Sequence, residues 1–473
     1  MPKLRIVSAE LQRTDVRTRI PARYGIAVVT ECPCAFVRVV VEFEGRAHTG
    51  IASDLLPPRW FTKDPGETPA DELAAMLRVI DHALQLARGL TADDPFDAWW
   101  TLYHAQHEWG RAVGLAPLLV NFGVTFVERA LLEAACKSWE SPLHRAVTLG
   151  RLRIPADVVH PELRGLALRE LLPARPLTAV TVRQTVGIDM PLVDDDMPAD
   201  ERLNDGLPES LAAAVDRYGL RQFKIKLSGE LARDRVGLER LADLFAVRIG
   251  GDYAVSLDGN EYFRSLAEFQ DYWRQLRATP ALEPILARLL FVEQPLAREI
   301  ALETPLGEGT APHERSDRPP LIIDESDSEL SSLRRALALG YDGTSHKNCK
   351  GVFKSFLNAG YLAYLRRTNP NKRYLLSGED MGNIGPVALL QDLAVVAALG
   401  IESVERNGHH YFAGLSMFPP AIQRQVAAAH PDLYTVAEPG FPTLNIAAGR
   451  LNLATVNAAP LGAGFELDLS SLA

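Results

Sequence analysis

"LIIDESDSELSSLRRALALGYDGTSHK", residues 321–347, holds a whole strand–helix–strand unit. "LIID" is a short apolar run of strand length. The following "DSELSSLRRALALG" places Leu330, Leu333 and Leu337 on one helical face and stops at Gly340, a residue suited to a helix C-terminus. "GTSHK" then reads as a second strand. Two strands joined by a helical crossover run parallel. The unit also carries charge at its strand ends: Asp324 and Glu325 close the first strand, and Lys347 closes the second.

Working outward, the same grammar recurs on both sides. Upstream stand "LTAVTVRQTV", "RQFKIKL", "YAVSLDG" and "LLFVEQP"; downstream stand "RYLLSGED" and "IESVERN". With the opening pair these make eight strands. Helical segments separate several of them, among them "GPVALLQDLAVVAALG", which ends at Gly400. Eight strands alternating with helices over about 240 residues predict a parallel β/α barrel, which takes about 250. A doubly wound open sheet is the competing architecture, but no glycine-rich phosphate turn follows "LTAVTVRQTV".

The flanks read differently. Residues 24–52 are rich in β-branched residues and broken at "EFEGRA", the pattern of antiparallel strands with a turn. Residues 70–150 turn helical, with Gly89 as one stop. The expected organisation is an α+β capping unit over residues 1–170, a barrel over 171–415, and a proline- and alanine-rich segment over 416–473 that returns to the cap.

Composition narrows the function classes. The chain has 473 residues, 47% hydrophobic and 23% charged, which is ordinary for a globular protein. Formal charge is 50 − 60 = −10, with the signs interspersed, so nucleic acid and anionic membrane are disfavoured as partners. The N-terminus lacks the apolar core of a secretory signal, and no apolar run approaches a membrane span of about 20 residues. Cys32, Cys34, Cys136 and Cys349 are too few for a disulfide framework and lack zinc spacing. A reduced cytoplasmic protein, assembled as a homo-oligomer, is expected.

Active sites of β/α barrels lie at the C-terminal strand ends. In order these carry Lys226, Asp258 with Asn260, Glu293, Asp324 and Lys347, separated by 32, 35, 31 and 23 residues. A single strand-end carboxylate is commonly the cap of the next helix. Three on consecutive strands repel unless a cation sits among them, and oxygen donors without cysteine or histidine suit Mg²⁺. Lys224 and Lys226 share one strand face, so Lys224 and a metal would lower the pKa of Lys226 towards the range of a general base.

The series "KIK", "DGN", "VEQPL", "DES" and "HKNCKG", with "RYGIAVVTECPCAFVRVVVEF" and "PPRWF" before it, resembles the enolase superfamily, in particular its muconate-lactonizing-enzyme and mandelate-racemase-like members. The resemblance covers nearly the whole chain. It implies Mg²⁺ ligation by Asp258, Glu293 and Asp324, acid/base roles for Lys226 and Lys347, and an electrostatic role for Lys224. The implied chemistry is removal of a proton α to a carboxylate through an enediolate. A racemase or epimerase, a lyase or a cycloisomerase would all use these groups, and a non-catalytic ligand-binding barrel is the reading from another class.

The sequence departs from that pattern in three places. "ALETPLGEGTAPHERSDRPP" lengthens one crossover, strand eight reads "ESVERNGHHYF" without a D-x-D, and the C-terminal segment is long. Asn260, Glu379 and His410 are candidate contacts for the small carboxylate substrate, with Tyr24 and Thr30 in the cap. Asp380 is either a contact or a helix cap, and the His409–His410 pair is otherwise expected to be solvated.

Overall fold

The computed structural model describes residues 3–24, 27–64, 66–307, 318–436 and 440–472. Half of the long insertion, residues 308–317, therefore lies outside the described residues. Eight parallel strands close into a barrel: β5 (Ala179–Val186), β6 (Gln222–Lys226), β7 (Ala254–Asp258), β8 (Leu289–Glu293), β9 (Leu321–Ile323), β10 (Gly343–His346), β11 (Leu375–Gly378) and β12 (Ser403–Arg406). Each pairs with the next, and β12 pairs with β5 to complete the circle. Helices cover the outer face, so most strands are buried on both sides and read as apolar runs. All eight predicted strands are present. Gly340 and Gly400 end their helices at φ of 100° and 75°, where a Cβ would be strained.

The capping unit is a four-stranded antiparallel sheet in the order β3-β2-β1-β4, formed by β1 (Leu4–Tyr24), β2 (Ala27–Phe43), β3 (Arg46–Leu55) and β4 (Thr91–Ala92). The turn at Glu44 and Gly45 has left-handed backbone, matching the break expected at "EFEGRA". The sheet contains a strand that the sequence reading did not assign. β1 alternates well enough to bury Leu4, Ile6, Ala9 and Val16, but the charges between them mask the period. Three helices, α1 (Pro69–Ala87), α2 (Pro95–Ala112) and α3 (Pro117–Ser138), pack on the sheet. α3 is buried almost all round, because it lies between the cap sheet and the barrel.

The C-terminal segment divides its contacts. A short strand, Arg450–Asn452, pairs antiparallel with the beginning of β5. Further on, Glu466 pairs with Lys137 at 2.9 Å and the Leu469 carbonyl accepts from Gln12, both in the cap. Among the described residues no helix is long and apolar enough to cross a membrane.

Candidate active site

The strand ladders align the charged residues before any side chain is considered. Lys226 stands opposite Asp258, and Asp258 opposite Glu293. Ile322 faces both Glu293 and Gly343, so Asp324 and Lys347 extend just past that level on the next two strands. Barrel closure brings the series round to one mouth, with Lys226 and Lys347 four strands apart on opposite walls.

Lys224 sits deepest. Its Nζ lies 2.7 Å from Glu293, 2.8 Å from Glu379, and 3.1 Å from both Asp258 and Glu405. Burial opposes its charge, but the four carboxylates more than offset this and hold its pKa well above the usual lysine value. The paired lysines are thus tolerated because acids surround them. The expectation that Lys224 and a metal act on Lys226 leaves out Glu379 and Glu405, which stand behind Lys224.

Lys226 donates to Asp258 Oδ2 at 2.5 Å and to Asn260 Oδ1 at 3.2 Å. Asp258 is buried, yet Lys224 and Lys226 bring its carboxyl down to about 2. Lys347 and Lys350 each lie 2.7 Å from Asp324. Those two ammonium groups outweigh burial and hold the Asp324 carboxyl well below its ordinary value. Asp324 in turn keeps Lys347 charged despite its burial.

Glu293 is the exception. Neither of its buried oxygens accepts a well-aligned hydrogen bond among the described residues, and burial with Glu379 beside it pushes its carboxyl well above the ordinary value. A buried carboxylate between Asp258 and Asp324, ion-paired with Lys224 but with no aligned hydrogen bond among the described residues, is what a hard cation would satisfy, and the all-oxygen donor set fits Mg²⁺. The acids are at present engaged by ammonium groups. Among the described residues no three acids, histidines or cysteines stand ready-arranged around a cation.

Above the lysines lies an open cavity walled by both units. The cap supplies Thr18, Arg23, Cys32, Trp60 and Lys63; the barrel supplies the lysines with Asn260, Asp380 and Tyr411. The Trp60 ring lies 4.5 Å from Lys347 Nζ. Thr30 is exposed, and the side chain of Tyr24 lies outside the described part of the structure. Glu379 turns into the barrel, bonded to Lys224 and Arg183, and does not line the cavity. Asp380 accepts from the Asn383 and Asn407 backbones and also reaches the wall. His410 lines an adjoining groove. Both histidines are buried rather than solvated, and burial lowers them to about 3 at His409 and about 4 at His410.

Sequence reasoning missed Glu405, Lys350, Trp60 and Lys63 as parts of the site. Glu405 had a signal, an acid near the end of an assigned barrel strand, as had Lys350 three residues after Lys347. Trp60 and Lys63 had none beyond their place in "PPRWFTK".

Fold and site define an α/β protein with a closed parallel barrel, an α+β cap and a mouth lined by lysines and carboxylates. No family model matches the chain, and no curated protein is similar to it at the sequence level. Solved structures share its fold over their whole length. A mandelate racemase/muconate lactonizing protein from Herpetosiphon aurantiacus is 16% identical, with TM-score 0.57 over 99% of both chains. An enolase from Bradyrhizobium complexed with magnesium and mandelic acid is 17% identical, with TM-score 0.58 over 100% of this chain and 98% of that one. A dipeptide epimerase from Enterococcus faecalis, complexed with Mg and L-Leu-L-Tyr, is 15% identical, with TM-score 0.57 over 95% of this chain and 100% of that one.

Proposed function

We propose that this chain is an enolase-superfamily enzyme that removes a proton α to a carboxylate and returns it, acting as a Mg²⁺-dependent racemase or epimerase. The observation that carries the reading is the pair of cavity-wall lysines on opposite barrel walls, Lys226 and Lys347, each joined to a strand-end acid. Lys226 and Lys347 serve as acid and base on the two faces of the α-carbon. Lys224, fixed as a cation, adds positive potential beneath the developing charge. Asp258, Glu293 and Asp324 would hold the Mg²⁺, which supplies electrostatic stabilisation of the substrate carboxylate. The magnesium and small acids in the similar solved structures support this reading. It carries with it a cytoplasmic homo-oligomer and the division into cap, 1–170, barrel, 171–415, and returning segment, 416–473.

One observation favours a second reading. The Lys226 side chain is 17% exposed and that of Lys347 only 5%, with Trp60 over it. An aromatic face stabilises the ammonium form. A lyase or cycloisomerase needs only one base, with Lys347 stabilising charge as a cation.

The test is a screen of carboxylates in D₂O for α-deuterium uptake, followed by variants on the best substrate. Lys226→Ala and Lys347→Ala should each lose racemisation by about 10²–10⁴. Near-full turnover in Lys347→Ala with none in Lys226→Ala replaces the racemase by the one-base reaction. By calorimetry, Asp258→Asn and Glu293→Gln should lose Mg²⁺ binding while staying folded; unchanged binding would overturn the ligand assignment.

A further inference from the structure

We infer that Lys350 is a positioning residue of the site: it holds one oxygen of Asp324 so that Lys347 can leave the other and reach the substrate. The inference rests on the reading above that Asp324 is a Mg²⁺ ligand and Lys347 an acid/base group.

Lys347 and Lys350 stand three residues apart across one 3₁₀ turn, Asn348–Lys350, closed by the Lys350 N–H donating to the Lys347 carbonyl at 2.9 Å. Side chains three apart on a 3₁₀ turn eclipse, so both ammonium groups reach the same carboxylate. They take different oxygens. Lys347 donates to Asp324 Oδ2 and Lys350 to Oδ1, each at 2.7 Å. Ser345 Oγ donates to Oδ1 at 2.5 Å and accepts from Lys350 at 2.7 Å.

The two lysines are not equivalent. Lys347 lines the cavity, whereas Lys350, 1% exposed, is not among its described lining residues. The backbone of Lys350 is anchored from the cap. Asn121 of α3 donates to the Lys350 carbonyl at 2.8 Å, and Glu128 of the same helix accepts from the N–H groups of Val352 and Phe353. Lys350 therefore stays on Asp324 when Lys347 moves. With Lys350 and Ser345 still on Oδ1, the carboxylate keeps its orientation and one compensating charge, and Oδ2 is the oxygen released. Without Lys350, the departure of Lys347 would strip a buried carboxylate of its last ammonium contact, which is costly, and Lys347 would be held back.

Calorimetry with Mg²⁺ tests the hold on Asp324. Removing a cation beside a cation site should by Coulomb's law alone tighten binding. Loss of a group that orients a ligating carboxylate does the opposite, by roughly 10–100-fold, so Lys350→Met should weaken Mg²⁺ binding by at least about tenfold. Ser345→Ala changes no charge and should weaken it in the same direction by a smaller factor. Unchanged or tighter binding in Lys350→Met, or in Ser345→Ala where only that variant folds, would overturn the inference. A parent chain that binds no Mg²⁺ would instead overturn the ligand assignment beneath it. α-Deuterium uptake from each enantiomer of the best substrate, at saturating Mg²⁺, tests the release of Lys347. Uptake through Lys347, identified as that lost in Lys347→Ala, should slow roughly tenfold in Lys350→Met, while uptake through Lys226 stays near the parent rate. Equal slowing on both faces would overturn the inference. No Lys347-dependent uptake in the parent would sink the two-base reaction and leave the calorimetry to decide whether Lys350 holds Asp324.

Discussion

At the residue scale the defining feature is Lys224, an ammonium group enclosed by Asp258, Glu293, Glu379 and Glu405. Its neighbour two positions on, Lys226, is partly exposed and, among the described residues, bonds to Asp258 and Asn260. The two lysines should therefore respond differently to the same substitution. Lys224→Met leaves an acid cluster without its central counter-charge, so urea unfolding should show a loss of about 3–5 kcal/mol without Mg²⁺. The loss should shrink in Mg²⁺, since a divalent cation can take over part of the compensation. Lys226→Met should cost less, about 1 kcal/mol, because Lys224 still pairs with Asp258. Equal losses for the two, or a Lys224→Met loss indifferent to Mg²⁺, would contradict this account. The site was legible in the sequence at this scale wherever a charge ended a strand: Lys226, Asp258, Glu293, Asp324 and Lys347 converge as their spacing implied. The partners of Lys224 were not legible in the same way. Glu379 and Glu405 lie 155 and 181 residues further along the chain, and only barrel closure reveals that they turn inwards.

At the element scale the segment between β3 and α1 joins the cap to the chemistry. It has little regular structure, and the barrel residue Arg298 helps to fix its position. Arg298 donates to the Phe61 carbonyl at 2.7 Å and to the Trp60 carbonyl at 3.1 Å while gripping Glu261. Lys63 completes the clamp on Glu261 and on the Asn260 carbonyl. The result is that Trp60 is held over Lys347. Such a segment cannot be read from periodicity, because much of its order comes from contacts about 200 residues or more away. Strands and helices, by contrast, carry their own apolar period and stop signals. β1 was the exception, its apolar face interrupted by arginines and acids that solvate the other side. If Arg298 is the clamp, Arg298→Ala should raise amide exchange across residues 57–64 roughly tenfold and leave the barrel strands unchanged. kcat/KM should fall with it, since Trp60 would no longer wall the Lys347 side. Exchange that stays slow there would show that Lys63 and the local turn suffice.

At the scale of the whole molecule, cap and barrel are joined through buried charge as well as apolar packing. Asp54 of β3 pairs with Arg129 of α3 in the interior of the cap. Glu128, beside it on α3, reaches across to the barrel. Its carboxylate accepts from the backbone N–H groups of Val352 at 3.0 Å and Phe353 at 2.6 Å, which begin the helix Val352–Thr368 following Lys347. That helix has no side-chain cap of its own, so the cap domain supplies one. Burial pushes the Glu128 carboxyl up to about 7, against the pull of the two N–H groups and Arg129. A carboxyl raised in the folded state lends its full stability below the unfolded pKa. That stability is lost as pH rises through the folded value, because the unfolded chain ionises first. Glu128→Gln keeps a carbonyl acceptor for the helix and removes the titration. Its stability relative to the parent should therefore improve between pH 4.5 and pH 7, by about 1.4 kcal/mol per pH unit at most. Urea unfolding at pH 5 and pH 7.5 measures the shift. A difference that stays constant, or moves towards the parent as pH rises, would mean that Glu128 is held ionised by the helix it caps, with burial the weaker influence.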